Sequence, residues 1–346
     1  MSFLNGDTVG YDTENNKAVF IDQTLLPSKY EEVFTDSYTE MYDAVKTLKV
    51  RGAPAIGVFA GICVAVLINK LKTNDKEEII KELDFICNDF EKCRPTAVNL
   101  RWALHKMFDE GKNSEPAKIK DNLKNLALKM IDDDIAVCRK IGEYGAELLK
   151  DKNSVLTHCN AGRLAAVRYG TALAPVYIAK EQGHNIKVFA DETRPLLQGA
   201  RLTSFELCDA GIDTTLICDN TASAVMARGL IDAVLVGCDR VAKNGDTANK
   251  IGTSAVAVLA KHYGIPFYVC MPFSTFDFSL ENGSQIIIEE REGLEVTDYW
   301  YKERMAPGKV KTMNLAFDVT EASLITAFIT EKGVIKPSEI KKYMSI

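Results

Sequence analysis

The sequence predicts an α/β fold: a doubly wound parallel sheet after residue 150, preceded by a smaller part built of short strands and helices. Three observations carry that prediction. Short apolar runs at 154–158, 186–190, 214–218, 232–237 and 266–270 have strand length and strand composition. Helical patterns around 162–182, 197–210 and 248–262 separate most of them, and strand–helix–strand repeats build parallel sheets. The chain has 346 residues, 47% hydrophobic and 26% charged, which fits a globular protein of about two domains and excludes a disordered or fibrous one.

Taken in order, residues 1–30 read as short strands and turns, with β-formers from Lys17 to Leu26 ahead of Pro27. Asp36 or Ser37 is placed to cap a helix running to about Leu48, with Met41, Val45 and Leu48 on one face. Gly52 to Asn69 is uncharged, but its apolar core is shorter than the 18 or more residues of a bilayer span. Pro54 suits a first helical turn, and Gly57 and Gly61 permit close packing, so a buried helix is expected. Helical patterns recur at 76–93, 97–110 and 117–150. The change of texture sets a boundary near 130, dividing the chain into a first domain of 1–130 and a second of 131–346.

The net charge is −6, from 42 basic and 48 acidic residues, which offers no basic nucleic-acid surface. The N-terminus lacks the basic and apolar regions of a secretory signal. Nine cysteines, an odd number without CxxC spacing, suit reduced thiols in the cytoplasm better than a disulfide framework or a zinc ribbon. Neither a nucleic-acid nor a membrane partner is expected.

Ligands of doubly wound sheets bind at the carboxyl ends of strands. Three such ends carry unusual chemistry. THCNAGRLA (157–165) places Cys159 and Asn160 directly after a strand. ADETRPLLQGARLT (190–203) places Asp191, Glu192, Arg194 and Gln198 where a strand gives way to a helix. VGCDRVAKNGDTANKIGT (236–253) places Asp239 past an apolar strand and Asn249 and Lys250 at the start of the next helix. Each residue alone also fits a packed thiol, a cap or a solvated charge; together they mark a site. His158 adjoins Cys159, but neighbours on a strand point to opposite faces, so it reads as a packed residue. In the first part, Arg51-Gly52-Ala53-Pro54 opens the buried helix, where free N–H groups suit a phosphate, and Arg94 stands before another helix. No P-loop or GxGxxG is present, and Lys250 replaces the terminal glutamate of a calcium loop. The histidines are scattered, so neither a metal nor a cofactor is expected.

The blocks RGAPAIG (51–57), THCNAG (157–162), DETRP (191–195), QGARLT (198–203), VGCDRVAKNGDTANKIGT (236–253) and FDVTE (317–321) resemble the methylthioribose-1-phosphate isomerase family. The resemblance implies a Rossmann-like C-terminal domain, a smaller N-terminal domain with a short antiparallel sheet and helices, a homodimer, and a place in methionine salvage. It also implies kinship with regulatory subunits of the nucleotide exchanger of translation initiation factor 2, which bind partners without catalysis. Carried over by position, Cys159 and Asp239 are catalytic. Arg51, Gly52, Ala53, Arg94, Gln198, Asn249 and Lys250 bind substrate. Arg163 stands where many members have a small residue, which leaves the C5 substituent open among methylthio, deoxy and phosphate.

An aldose 1-phosphate has its ring locked by the C1 phosphate, so an acid must first protonate the ring oxygen. Asp239 is expected to be that acid, kept protonated by the apolar run Ala233–Cys238. Hydrogen then moves from C2 to C1, either through an enediol with a Cys159 thiolate as base or by a hydride shift that Cys159 stabilises. Both routes fit the sequence.

Overall fold

The structure, a computed structural model, describes residues 2–94 and 97–344. It is an α/β protein that divides into two compact units, one of residues 1–138 with 162–170 and one of 139–161 with 171–346.

The first unit opens with β1 (Val9–Asp12), β2 (Lys17–Ile21) and β3 (Glu32–Thr35), an antiparallel meander. Helix α1 (Tyr38–Lys46) follows, and the cap falls to Ser37, whose side chain accepts from the Glu40 N–H. Helix α2 (Ala53–Asn69) starts at Gly52 with Pro54 in its first turn, and most of its length is buried. Helices α3 (Lys76–Cys93), α4 (Val98–Asn113) and α5 (Ile119–Leu148) complete the unit, α5 running on into the second. The α2 glycines do what their spacing predicts. A Cβ on Gly57 would stand 2.9 Å from the Asn99 carbonyl of α4, and one on Gly61 would stand 2.9 Å from Met130 Sδ of α5. The α2 backbone thus meets the α4 backbone and the Met130 side chain directly, and contacts this close gain dispersion. Among the described residues, no helix is long and apolar enough to cross a membrane.

The second unit contains β4 (Ser154–His158), α6 (Ala174–Glu181), β5 (Lys187–Asp191), α7 (Ser204–Asp209), β6 (Thr214–Ile217), α8 (Ala222–Ala227) and β7 (Ala233–Val236). It continues through β8 (Arg240–Ala242), β9 (Thr247–Lys250), α9 (Thr253–Tyr263), β10 (Phe267–Cys270), β11 (Phe276–Asp277), α10 (Leu294–Thr297), β12 (Phe317–Thr320), β13 (Ala327–Thr330) and β14 (Gly333–Ile335). Its main sheet has the order β14-β13-β10-β7-β4-β5-β6, parallel except for β14. Strands β7 and β10 are buried throughout, as expected of a sheet covered on both faces. A second sheet, β11-β8-β9-β12, lies beyond the end of β7.

Two expectations are corrected. The pattern at 162–182 is helical only from Ala174 to Glu181; residues 163–165 form a single 3₁₀ turn, and 162–170 belong to the first unit. Asn249 and Lys250 do not open a helix. They end β9, which pairs antiparallel with β8 and β12, and α9 begins only after Gly252 at φ 101°. The polar TANK run satisfies its backbone in the small sheet before the helix can start.

Candidate functional site

The main sheet grows in one direction from β4 through β5 to β6 and in the other through β7 to β10, so the order reverses between β4 and β7. A crevice is expected outside the carboxyl ends at such a reversal. His158 pairs with Val236 in the parallel register. Cys159 therefore leaves one residue past the end of β4, and Asp239 three past the end of β7, on strands spaced about 4.8 Å apart.

Cys159 is buried at 9% exposure and adopts φ 64°, left-handed backbone that an L-residue rarely takes. Its N–H donates to Thr193 Oγ1 at 2.8 Å, and its carbonyl accepts from Thr203 Oγ1 at 2.7 Å. Thr193 (φ 65°) and Leu197 (φ 57°) share the same conformation. Backbone of this kind persists only where surrounding contacts over-determine it, and it clusters at functional sites. Here the contacts are visible: Asp219 accepts from the Thr193 N–H at 2.7 Å and from the Arg194 N–H at 2.8 Å. Asn160 donates to Thr203 Oγ1 at 3.1 Å and to Glu206 Oε1 at 2.5 Å, and Tyr177 donates to Glu206 Oε2 at 2.7 Å. Glu206 is fully buried, a carboxylate tolerated because two donors face it.

Gln198 precedes a π turn over residues 199–203. A Cβ on Gly199 would strike the Asp191 carbonyl, so the glycine is what lets this turn approach β5. Gln198 Oε1 is buried and accepts no hydrogen bond among the described residues. Asp239 donates its N–H to the Ala248 carbonyl at 3.0 Å, which places it beside Asn249 across the β8–β9 hairpin. Asn249 and Lys250 are nearly buried. Asn249 Nδ2 donates to Thr253 Oγ1 at 3.0 Å; Lys250 Nζ donates to the Ala316 carbonyl at 2.9 Å and lies 4.3 Å from the Phe317 ring centre. Asp318 caps the turn into α9, accepting from Gly252 N–H at 2.8 Å and Ser254 N–H at 3.1 Å. Burial raises the Asp318 pKa.

The apolar environment expected for Asp239 is corrected. Ala233–Val236 are fully buried, but Asp239 itself is exposed, because the chain leaves the sheet at Gly237 and turns into β8. Its own burial does not hold a proton on it.

His158 is the residue that spacing undervalued. Its Nδ1 lies 2.9 Å from Asp191 Oδ2, and its Nε2 lies 2.8 Å from the Ile251 carbonyl oxygen. Burial opposes a charge on the ring, but the hydrogen bond and charge of Asp191, the charge of Asp219 and the Ile251 carbonyl outweigh it, and the His158 pKa is raised. The Asp191 pKa is raised by burial, against the opposing pull of His158. Ligand-type atoms of His158, Asp191 and Asp219 lie within 4.8 Å of one another. Both ring nitrogens and both Asp219 oxygens take part in hydrogen bonds, which link the three residues into one network. The signal available in the sequence was Asp191 of DETRP and Asp318 of FDVTE, the first of which binds the imidazole and the second the backbone of the turn beside it.

In the first unit, Arg51 is half-buried ahead of Gly52, which caps α2 at φ 90°. A Cβ on Gly52 would stand 2.5 Å from the Ala165 carbonyl oxygen and 2.7 Å from its Cβ. The tight approach leaves the amides at the start of α2 at a helix N-terminus suited to an anion. Arg94 is half-buried at the end of α3; Pro95 and Thr96 of the CRPT run lie outside the described residues.

Polar side chains and left-handed backbone gather at the strand reversal, the place where open α/β sheets commonly bind small molecules. The profile of the Initiation factor 2 subunit family matches residues 49–337, and the chain belongs to that family. A methylthioribose-1-phosphate isomerase of Symbiobacterium thermophilum is 51% identical over 96% of this chain and 93% of its own length. A 5-deoxyribose 1-phosphate isomerase of Petrotoga mobilis is 52% identical over 92% of this chain and 93% of its own. The crystal structure of a 5-methylthioribose 1-phosphate isomerase from Pyrococcus horikoshii superposes with a TM-score of 0.92 at 40% identity, covering 98% of this chain and 95% of that one. A structure described as translation initiation factor eIF-2B, subunit delta, from A. fulgidus superposes at 0.91 and 41% identity, covering 99% and 100%.

Proposed function

We propose that this protein is an aldose–ketose isomerase that converts 5-methylthioribose 1-phosphate to 5-methylthioribulose 1-phosphate, a step of methionine salvage. The observation that carries the reading is the emergence of a thiol, Cys159, and a carboxyl group, Asp239, from adjacent strands at the reversal of the sheet. The strand order reads 3-2-1-4-5-6 from β6 to β13, with β14 added antiparallel, which supports a Rossmann-like second domain.

In this reading Asp239 donates a proton to the ring oxygen and opens the ring. Because Asp239 is exposed in the free protein, bound substrate has to supply the desolvation and negative charge that keep the acid protonated. Cys159 then acts on the C2 hydrogen, as thiolate base or as stabiliser of a hydride shift. Gln198 offers its unpartnered Oε1 to a sugar hydroxyl, and Asn249 and Lys250 bind the phosphate side. In the first unit, Arg51, the Gly52–Ala53 backbone and Arg94 are proposed to bind the phosphate dianion by charge-assisted hydrogen bonds. No cofactor is required by these steps. A cytoplasmic homodimer completes the reading; exposed Ile287, Met305 and Met313 are apolar surface that a second copy would cover.

The second reading, a 5-deoxyribose 1-phosphate or ribose 1,5-bisphosphate isomerase, rests on relatives of equal identity with the first of those activities. A third, a non-catalytic regulator, rests on the A. fulgidus structure and is opposed by the presence of both Cys159 and Asp239. Turnover of the three sugar phosphates by the purified protein separates them. The highest kcat/KM is expected with methylthioribose 1-phosphate, and no turnover of any of the three would establish the regulator.

A further inference from the structure

His158 lies beneath the site without facing it. Both ring nitrogens end on oxygens: Asp191 Oδ2 at the end of β5 and the Ile251 carbonyl in the turn after β9. A carbonyl only accepts, and so does an ionised carboxylate, so a ring that satisfies both donates from both nitrogens. The charged groups facing it are Asp191 from β5, Asp219 after β6, with Oδ1 at 4.0 Å from Nδ1, and Asp318 from β12, itself offset by Lys250 of β9. Three carboxyl groups thus surround one imidazole. Asp191 Oδ1 is buried with no hydrogen-bond partner among the described residues, and a carboxylate so placed keeps its charge only against an adjacent cation.

The contact is also steric. Gly252 follows Ile251, and a Cβ there would stand 2.8 Å from His158 Cε1, so the turn lies flat against the ring. The ring therefore holds the last residues of β9, where Asn249 and Lys250 sit, to the end of β4, where Cys159 sits one residue on. Thr193 binds Asp191 and Cys159 together from the other side, donating its hydroxyl to the Asp191 carbonyl at 3.1 Å and accepting the Cys159 N–H.

We propose that His158 is a positioning residue that, as a doubly protonated imidazolium between Asp191 and the Ile251 carbonyl, locks the Asn249–Gly252 turn against the strand end that presents Cys159. It touches no substrate atom; its effect passes through Ile251 to the residues read above as phosphate ligands, and in its kinetic consequence it rests on that reading.

The test combines a spectroscopic and a kinetic measurement on the full chain. With ¹⁵N-histidine labelling only four rings contribute, and H158Q assigns the signals. Wild type is expected to show two N–H protons on His158 at neutral pH, and D191N to lose the one on Nδ1 while keeping that on Nε2. A single N–H on wild-type His158 at neutral pH, or loss of both on adding zinc or magnesium, would overturn the proposal. In kinetics, H158Q and D191A are expected to lose about 10²-fold in kcat/KM, the order for an ångström of misplacement, with the larger part in KM. D191N, whose amide can donate to a neutral Nδ1, recovers most of what D191A loses. Wild-type constants in H158Q, or equal losses in D191N and D191A, would also overturn it. If wild type turns over no sugar phosphate, the isomerase reading fails while the proton count on His158 still decides the state of the ring.

Discussion

Gly52→Ala is the sharpest single test of how the first unit builds its anion-binding element. Two costs fall on the new methyl group. The first is conformational: at φ 90°, an alanine occupies backbone that L-residues avoid, at about 1–2 kcal/mol. The second is steric: the Cβ would stand 2.5 Å from the Ala165 carbonyl oxygen, about 1 Å inside van der Waals contact, and the obstacle is backbone that cannot swing aside. Forced repacking of this sort costs about 1–3 kcal/mol more. Gly183→Ala supplies the control, because Gly183 has φ 83° but nothing within 4 Å of its would-be Cβ. It bears the first cost without the second. Urea unfolding of both variants should therefore place G52A about 1–3 kcal/mol below G183A. G52A should also lose activity, since Arg51 and the amides of α2 have to move with the backbone, whereas G183A should turn over at the wild-type rate. Equal stability of the two variants would show that the start of α2 yields freely and that the close approach to Ala165 does not set it.

Other outcomes follow from the second unit. Cys159→Ser and Asp239→Asn should each reduce kcat by at least about 10²-fold, the lower end for a lost acid or base; near-wild-type rates in both would remove the chemistry from these residues. Substrate carrying deuterium at C2 should lose label to water if Cys159 is a base and retain it at C1 if hydride shifts, as read by NMR of the product. Glu206→Leu should destabilise the fold by about 2–4 kcal/mol, because buried Asn160 and half-buried Tyr177 lose the carboxylate they donate to, and thermal unfolding would report it. The pKa of His158 is raised in the folded state, so the folded chain holds that proton more tightly than the unfolded one. Its contribution is complete below the unfolded histidine value of about 6.5 and is lost as pH rises through the folded value. Urea midpoints should fall across that interval in wild type, and H158Q should show a smaller fall.

The strands of the main sheet were legible because a strand buried on both faces becomes an uninterrupted apolar run, and SVLTH, DAVLVG and PFYVC are such runs. Helices α1, α3 and α5 were legible from their period, and α1 also from its cap. What period could not show was β9. TANK has no apolar run and no strand-length alternation, and it is extended only because β8 pairs with it in a hairpin and β12 pairs with it from about seventy residues further along the chain. The stretch 162–173 failed for the same reason in reverse: its small and apolar residues suit a helix, but Gly162 and Gly170 pair as an isolated bridge and divert the chain. Within the site, residues with reactive side chains stood out at strand ends, while Thr193, Thr203 and Asp219 did not. Their role is to bind backbone, and spacing carries no mark of a hydrogen bond to a peptide group.

That division explains why the strand ends look as they do. A strand offers alternate side chains to each face, so His158 and a strand-like residue 159 would point to opposite sides of the sheet. The left-handed turn at Cys159 ends the alternation at once, releasing the thiol from the sheet while leaving the imidazole within it. Such a turn is costly for cysteine and cannot be held by the strand, which has ended. It is held instead by Thr193 and Thr203 on its two peptide groups, and those by Asp219 and Asn160 in turn. Glycine at 159 would make the turn without help but would carry no thiol. The buried polar network around residues 191–206 is therefore the structural cost of placing a reactive side chain at a position whose backbone favours glycine. Removing Thr193 or Thr203 should accordingly act on the geometry of Cys159 before it acts on the fold.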